Sequence, residues 1–118
     1  GYAQVPQAIR RHWGALLERY LRERQALRGL LLLMDIRHPL TELDQRMLDC
    51  CIARELPAHI LLTKADKLSR GAAGSALQQL RKTLKASYPQ ATVQLFSAMT
   101  RQGVEEAHAR LDEWLGYY

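Results

Sequence analysis

Apolar residues along this chain switch between the spacing of a helix face and short unbroken runs, and the two patterns alternate. From Pro6 to about Leu27 they fall at Ile9, Trp13, Leu16, Leu17, Tyr20 and Leu27, with Pro6 suited to a first helical turn. The opposite face carries Arg10, Arg11, Arg19, Arg22 and Arg24. Gly29 breaks that pattern before the run at residues 30–34, whose continuous apolarity predicts a strand covered on both faces. Pro39 and Thr41 punctuate the return, and Thr41 is a candidate cap for a helix bearing Leu43, Met47, Leu48 and Cys51. A second strand is predicted at about 59–62, followed by a loop at 66–70. Gly71 and Gly74 blur the start of the next helix, which is marked by Leu77, Leu80 and Leu84 and must end before Pro89. The third strand is predicted over 92–96. The last helix starts near Gly103 and is expected to bury Val104, Ala107, Leu111, Trp114 and Leu115. Strands alternating with helices predict an α/β fold: a parallel three-stranded sheet flanked by four helices, joined by right-handed crossovers.

Composition narrows the setting. The 118 residues, 47% of them apolar, suffice for a single core spanning 1–118, with no repeat or linker. No run of eighteen apolar residues occurs, so no membrane span is expected, and the first residues lack a signal-peptide pattern. The only cysteines, Cys50 and Cys51, are adjacent, which suits neither an ordinary bridge nor a metal site. They read as small apolar helix residues, reduced in a cytosol, and the expected location is cytoplasmic. Seventeen Lys and Arg against twelve Asp and Glu give a net charge of +5, which favours a polyanionic partner.

The chemistry gathers at strand ends. The stretch Leu61-Leu62-Thr63-Lys64-Ala65-Asp66 ends an apolar strand in a polar loop. An Asp at the carboxyl end of a buried parallel strand faces the crevice where open α/β sheets bind ligands. Its two oxygens can accept together from guanine N1–H and N2–H₂, a donor pair that adenine lacks, and such charge-assisted bidentate bonding is strong and selective. Lys64 offers an alkyl stem to lie along a base. Lys67 borders the same loop, as a neighbour of base or ribose or simply as a solvated side chain. Phe96-Ser97-Ala98 closes the next strand. The plainer reading of Lys64 and Asp66 is a polar loop; Ser97-Ala98 one unit later favours the nucleotide reading.

Asp35, Arg37 and His38 lie at the end of the first strand. No Ser, Cys or second acid stands close enough to form a nucleophile–base set, so they read as organisers of their loop, with Asp35 accepting from backbone N–H groups. His59 and His108 read as surface or partly buried residues without a metal signature, and Trp13 and Trp114 as core. The arginine-rich helix is either a solvated basic face or a phosphate-binding one.

The Lys64-Ala65-Asp66 and Ser97-Ala98 loops resemble the fourth and fifth nucleotide motifs of translation-factor-class GTPases. Gly1-Tyr2-Ala3-Gln4-Val5-Pro6, Met34-Asp35-Ile36-Arg37-His38-Pro39-Leu40, Asp44-Gln45, Leu61 through Leu68 and Gln102-Gly103-Val104 narrow the match. Over essentially the whole chain these resemble the EngB-type bacterial ribosome-biogenesis GTPases. The resemblance implies a partial Ras-like P-loop GTPase fold, with this chain as the C-terminal portion of one G domain. It implies guanine-base binding by Thr63, Lys64, Asp66, Ser97 and Ala98, the Ser-Ala loop offering a backbone N–H to guanine O6. Thr63 stands where Asn is usual, and its hydroxyl is shorter than an amide. Gly1 and Tyr2 would lie beside switch II.

The same resemblance implies GTP or GDP with Mg²⁺ as the parent's ligands, a role in large ribosomal subunit assembly, and a link to cell division and septum formation. Ribosomal RNA contact through Arg10, Arg11, Arg19 and Arg22 would follow. The chain departs from the family in having no Gly-x-x-x-x-Gly-Lys-[Ser/Thr] phosphate loop; Gly71-Ala72-Ala73-Gly74 lacks the Lys-Ser/Thr. No catalytic residue and no metal ligand is therefore expected here, and the rival reading is a non-catalytic basic module that binds RNA or the ribosome. In Ras-like strand order the 30–34 strand pairs with the phosphate-loop strand, so its outer edge is expected to be open and to promote self-association.

Overall fold

The computed structural model describes residues 7–23 and 26–116, apart from the side chains of residues 7–10, Trp13 and Arg22. Expectations for Gly1, Tyr2, Pro6 and Arg24, and for the side chains of Ile9, Arg10, Trp13 and Arg22, lie outside the described residues. The elements run α1 (Gln7–Glu23), β1 (Leu30–Asp35), α2 (Glu42–Arg54), β2 (Ala58–Thr63), α3 (Arg70–Ser87), β3 (Ala91–Leu95) and α4 (Val104–Leu115). The strands lie in the order β1-β2-β3 and all pairings are parallel. Leu30 stands opposite Ala58, and Ala58 opposite Ala91, so all three carboxyl ends emerge along one border of the sheet. The expected three-stranded parallel sheet and four helices are both present.

Local chemistry explains the boundaries. Thr41 caps α2: its side chain accepts from the Asp44 N–H, and Asp44 Oδ2 accepts in return from the Thr41 N–H at 2.9 Å. Such a box contributes about 1 kcal/mol. Ser69 caps α3 by accepting from the Ala72 N–H, which fixes the helix start at Arg70 despite the two glycines that follow. Leu27 lies beyond α1 and packs against the core from a non-helical position.

One face of the sheet presents Met34, Ile60, Leu62 and Val93 to Leu48 and Cys51 of α2 and to Ala73, Leu80 and Leu84 of α3. Fully buried side chains such as Leu48, Ile60 and Leu62 each contribute about 1.5–3 kcal/mol. A second cluster joins Leu21 of α1 to Met47 and Cys50 of α2, over Leu27, Leu30 and Leu32. Helix α1 is thus held mainly through α2, and an ion pair between Arg46 and Glu18 reinforces that contact. Cys50 and Cys51 are buried and neither is in a disulfide; burial pushes the Cys51 thiol up to about 11.

Two expectations of burial are corrected. Leu16, Leu17 and Tyr20 follow helical spacing yet remain about half exposed. Leu115, the last residue of α4 before the left-handed Gly116 (φ 78°), is also exposed. Trp114, one residue earlier, lies against Gly29, where any Cβ would sit 2.8 Å from the indole ring. Gly29 therefore makes room for the indole ring of α4. No helix among the described residues is long and apolar enough to cross a membrane.

Among the described residues β1 pairs only with β2, and Leu33 in its middle is 58% exposed. A long apolar strand with one unpaired edge is a template for pairing with another chain. The 118-residue chain by itself is expected to associate at about tens of micromolar, the range in which exposed edges aggregate. Sedimentation equilibrium on mass-verified material checks this, and a monodisperse monomer would contradict it.

Candidate functional site

Because the strands are parallel, the residues that follow each one come together. Hydrogen bonds between backbones carry the ladder past the strands: Ile36 N–H to Thr63 O at 3.0 Å, Phe96 N–H to Leu62 O at 2.9 Å and Ala65 N–H to Phe96 O at 3.1 Å. Lys64 adopts the left-handed conformation (φ 59°, ψ 33°) that L side chains seldom take. The turn is held by Lys67 N–H donating to Lys64 O at 2.9 Å, and it swings residues 65–67 back over the sheet border in one turn of 3₁₀ helix.

Here Asp66 and Ser97, placed on separate loops by the sequence, meet. Ser97 Oγ donates to Asp66 Oδ1 at 2.7 Å while accepting from the Thr100 N–H at 3.2 Å. Ser97 is wholly buried, whereas Asp66 is exposed, so a buried hydroxyl holds a carboxylate that faces outward. That bond holds the Asp66 carboxyl below its ordinary value, with burial opposing and Lys67 and Arg37 adding attraction. One carboxylate oxygen is thus oriented by the protein, and the other points away from Ser97. Among the described residues the Ala98 N–H, beside Ser97, has no acceptor within the protein. An anchored carboxylate and an unused N–H on adjoining loops form a mixed acceptor and donor edge.

Asp35 bonds within its own loop. Its Oδ1 accepts from the Arg37 N–H at 2.9 Å and from Arg37 Nε at 3.0 Å, and Oδ2 accepts from Arg37 Nη2 at 2.8 Å. The guanidinium fork holds the Asp35 carboxyl well below the usual carboxylate range. Lys64 Nζ adds a looser pair to Oδ2 at 3.4 Å, so the first and second loops are tied through one carboxylate. The Thr63 hydroxyl donates to Met34 O at 3.3 Å, bracing β1 against β2. His38 and Lys67 are exposed. Among the described residues no three His, Cys, Asp or Glu converge, so the groups here do not fit a metal ion.

His59 is a correction: it is 1% exposed, fully buried rather than a surface or partly buried residue. Its ring lies between Thr92 and Gln94, and Gln94 is equally buried, a partner that reading the chain linearly does not reveal. Polar residues two apart in β3, facing a histidine in β2, were the available signal. His108 is exposed.

The Ser97 bond has a measurable consequence. In Ser97→Ala the Asp66 titration midpoint, followed by carboxyl-carbon NMR, is expected to rise towards 3.8 from its lowered position. A carboxyl whose folded-state pKa is depressed adds stability that is complete above about pH 4 and is lost as pH falls through the folded value. The variant should therefore lose less stability than wild type across that acidic window. An unchanged midpoint would remove the bond as its cause.

No protein-family model matches the chain. It is 56% identical over 114 residues to the probable GTP-binding protein EngB of Nitrosomonas europaea, covering 97% of this chain and 51% of that protein. The EngB protein of Methylobacillus flagellatus is 54% identical over 115 residues (98% and 56% covered), and that of Stenotrophomonas maltophilia 50% over 117 (98% and 58%). The chain thus spans about half the length of the curated relatives it matches. Among solved structures, translation elongation factor SelB of Methanococcus maripaludis, in complex with the GTP analogue GPPNHP, superposes with a TM-score of 0.69. It shares 18% identity, with 87% of this chain and 23% of SelB covered, and so shows the common fold. Identity above one half, sustained along nearly the whole chain, means that it belongs to the EngB family.

Proposed function

We propose that this chain is the guanine-reading part of an EngB-type GTPase, the C-terminal portion of its G domain. One observation carries the reading: Ser97 Oγ donating to Asp66 Oδ1 at 2.7 Å, across two loops that follow neighbouring parallel strands. The bond leaves an ionised carboxylate at the sheet's ligand-binding border, where its outward oxygens accept from guanine N1–H and N2–H₂. Ala98 N–H lies on the same loop and donates to guanine O6. Lys64 and Thr63 frame the base, with Lys67 at the border of base or ribose. The names of the relatives, probable GTP-binding proteins, support this ligand.

Phosphoryl transfer in such an enzyme rests on positioning by a phosphate loop and on metal electrostatics. Neither a phosphate-loop motif nor a metal-ligand cluster is present among the residues described, and in this reading GTP phosphates and Mg²⁺ are held by the remainder of the parent protein. We further propose, on the family resemblance, that the parent acts in the cytoplasm in large ribosomal subunit assembly, with a link to septum formation. Exposed Arg11 and Arg19 on α1 support contact with ribosomal RNA, although Arg19 also pairs with Glu23 at 3.3 Å. An RNA-binding role without nucleotide is the alternative that the same arginines favour.

In the full-length parent, Asp66→Ala is expected to weaken GDP binding by about ten- to a hundredfold, the loss of a charged partner for two donors. Asp66→Asn should shift preference towards xanthine nucleotides, because an amide can donate to the additional carbonyl. Isothermal titration with GDP, XDP and ADP decides it, and equal GDP affinity in all three proteins would remove Asp66 from the base site. For the basic face, the double reversal Arg11→Glu and Arg19→Glu should weaken binding of the parent to the large subunit and flatten its salt dependence while leaving GDP affinity intact. Sedimentation of the subunit complex across a salt series measures this; an unchanged slope would restore the solvated face.

A further inference from the structure

The loop that joins β3 to α4 begins and ends on the same side chain. Gln94 Nε2 donates to Leu95 O at 3.1 Å and to Gly103 O at 2.8 Å, so a single amide grips the residues on either side of residues 96–102. Inside this grip Ser97 N–H donates to Gln102 O at 3.0 Å. The two feet are in close contact: a Cβ on Gly103 (φ 82°) would lie 2.2 Å from Leu95 O and 2.5 Å from Gln94 Nε2. Gly103 O also accepts from Ala107 N–H at 3.0 Å, the first bond of α4. The amide thus sets the spacing between strand end, loop and helix start.

What orients the amide is His59. With Nε2 committed to two carbonyls, Gln94 must turn its oxygen the other way, and Oε1 lies 2.7 Å from His59 Nε2. The imidazole must then carry a proton on Nε2. Its Nδ1 lies 2.6 Å from the Thr92 hydroxyl, which also donates to Ala58 O at 3.4 Å. Every polar atom of this relay has a partner, and both central residues are 1% exposed. A satisfied network in a low-dielectric interior is rigid, and removing one member orphans the others.

We propose that Gln94, oriented by His59, is the positioning residue for the Ser97–Ala98 loop, fixing where the Ala98 N–H meets the sixth position of a bound purine. The inference rests on the guanine-site reading above and adds to it the residues that set base selectivity from behind. Neither side chain touches the nucleotide. Ser97 and Ala98 sit within seven residues clamped by one amide, so a displacement at Leu95 or Gly103 moves both of them.

The test uses two selectivity ratios in the full-length parent, because a ratio of dissociation constants is independent of the fraction folded. GDP against IDP, which lacks the 2-amino group, reads Asp66. GDP against 6-thio-GDP, which keeps both donors and replaces O6 by a weakly accepting sulfur, reads the Ala98 loop. Asp66→Ala should collapse the first ratio. Gln94→Met, similar in length and without hydrogen-bonding capacity, should lower the second by about two- to tenfold, the worth of one neutral hydrogen bond. His59→Leu should do the same and His59→Gln, which keeps a donor, should restore most of it. If Gln94→Met fails to fold, the His59 pair carries the comparison. A second ratio that stays at the wild-type value in Gln94→Met and His59→Leu, with only thermal stability lowered, would overturn the proposal and leave the two as core residues. A wild-type parent that does not prefer GDP over IDP would instead overturn the base-site reading, and this inference with it.

Discussion

Burial of β2 on both faces is the constraint from which the rest of the architecture follows. Ala58, His59, Ile60, Leu61 and Leu62 are each at most 4% exposed, so every backbone group of the strand must find a partner inside the protein. It does so through parallel pairing on both sides, with β1 and β3. Parallel neighbours in turn require a crossover between each pair of strands, and α2 and α3 supply them while covering one face. The carboxyl ends of three strands then have no freedom to separate.

That geometry makes the candidate site an extension of the sheet rather than a set of independent loops. The Ile36–Thr63, Phe96–Leu62 and Ala65–Phe96 bonds repeat the ladder beyond the last paired residues. Lys64 in the left-handed region costs about 1–2 kcal/mol, and these bonds at either side offset it. Each loop then has a carboxylate anchored differently. Asp35 is paired with the Arg37 guanidinium and with Lys64, whereas Asp66 is held by a neutral hydroxyl and faces outward. The same residue type thus meets charged partners in one loop and a neutral one in the other.

Most of this order was legible in the residues, for a physical reason: unbroken apolar runs suit strands inside a sheet, as Ile60 to Leu62 show, and Thr41 and Ser69 cap helices through their own side chains. The run Leu30 to Met34 also forms a strand, but Leu33 is exposed rather than covered as expected. The likeness of the Asp66 and Ser97 loops to nucleotide motifs was equally plain. What escaped was three-dimensional pairing of polar groups. His59 and Gln94 look solvent-facing because each polarity is judged alone, and only the β2–β3 register brings them together in the interior. Leu16, Leu17, Tyr20 and Leu115 escaped in the opposite sense: helical spacing fixes which residues share a stripe but not whether a neighbour covers it.

The adjacent cysteines acquire a use from where they sit. Consecutive helix residues point about 100° apart, so Cys51 joins the core shared by the sheet and α3, and Cys50 joins the smaller cluster under α1. Alkylation of Cys50 reports the lifting of α1 from α2, a local event, whereas Cys51 reacts only when the main core opens and its raised thiol pKa slows it further. Two neighbouring sulfurs therefore read out two separate opening equilibria, and their modification order in a mass spectrum records which part of the protein breathes first.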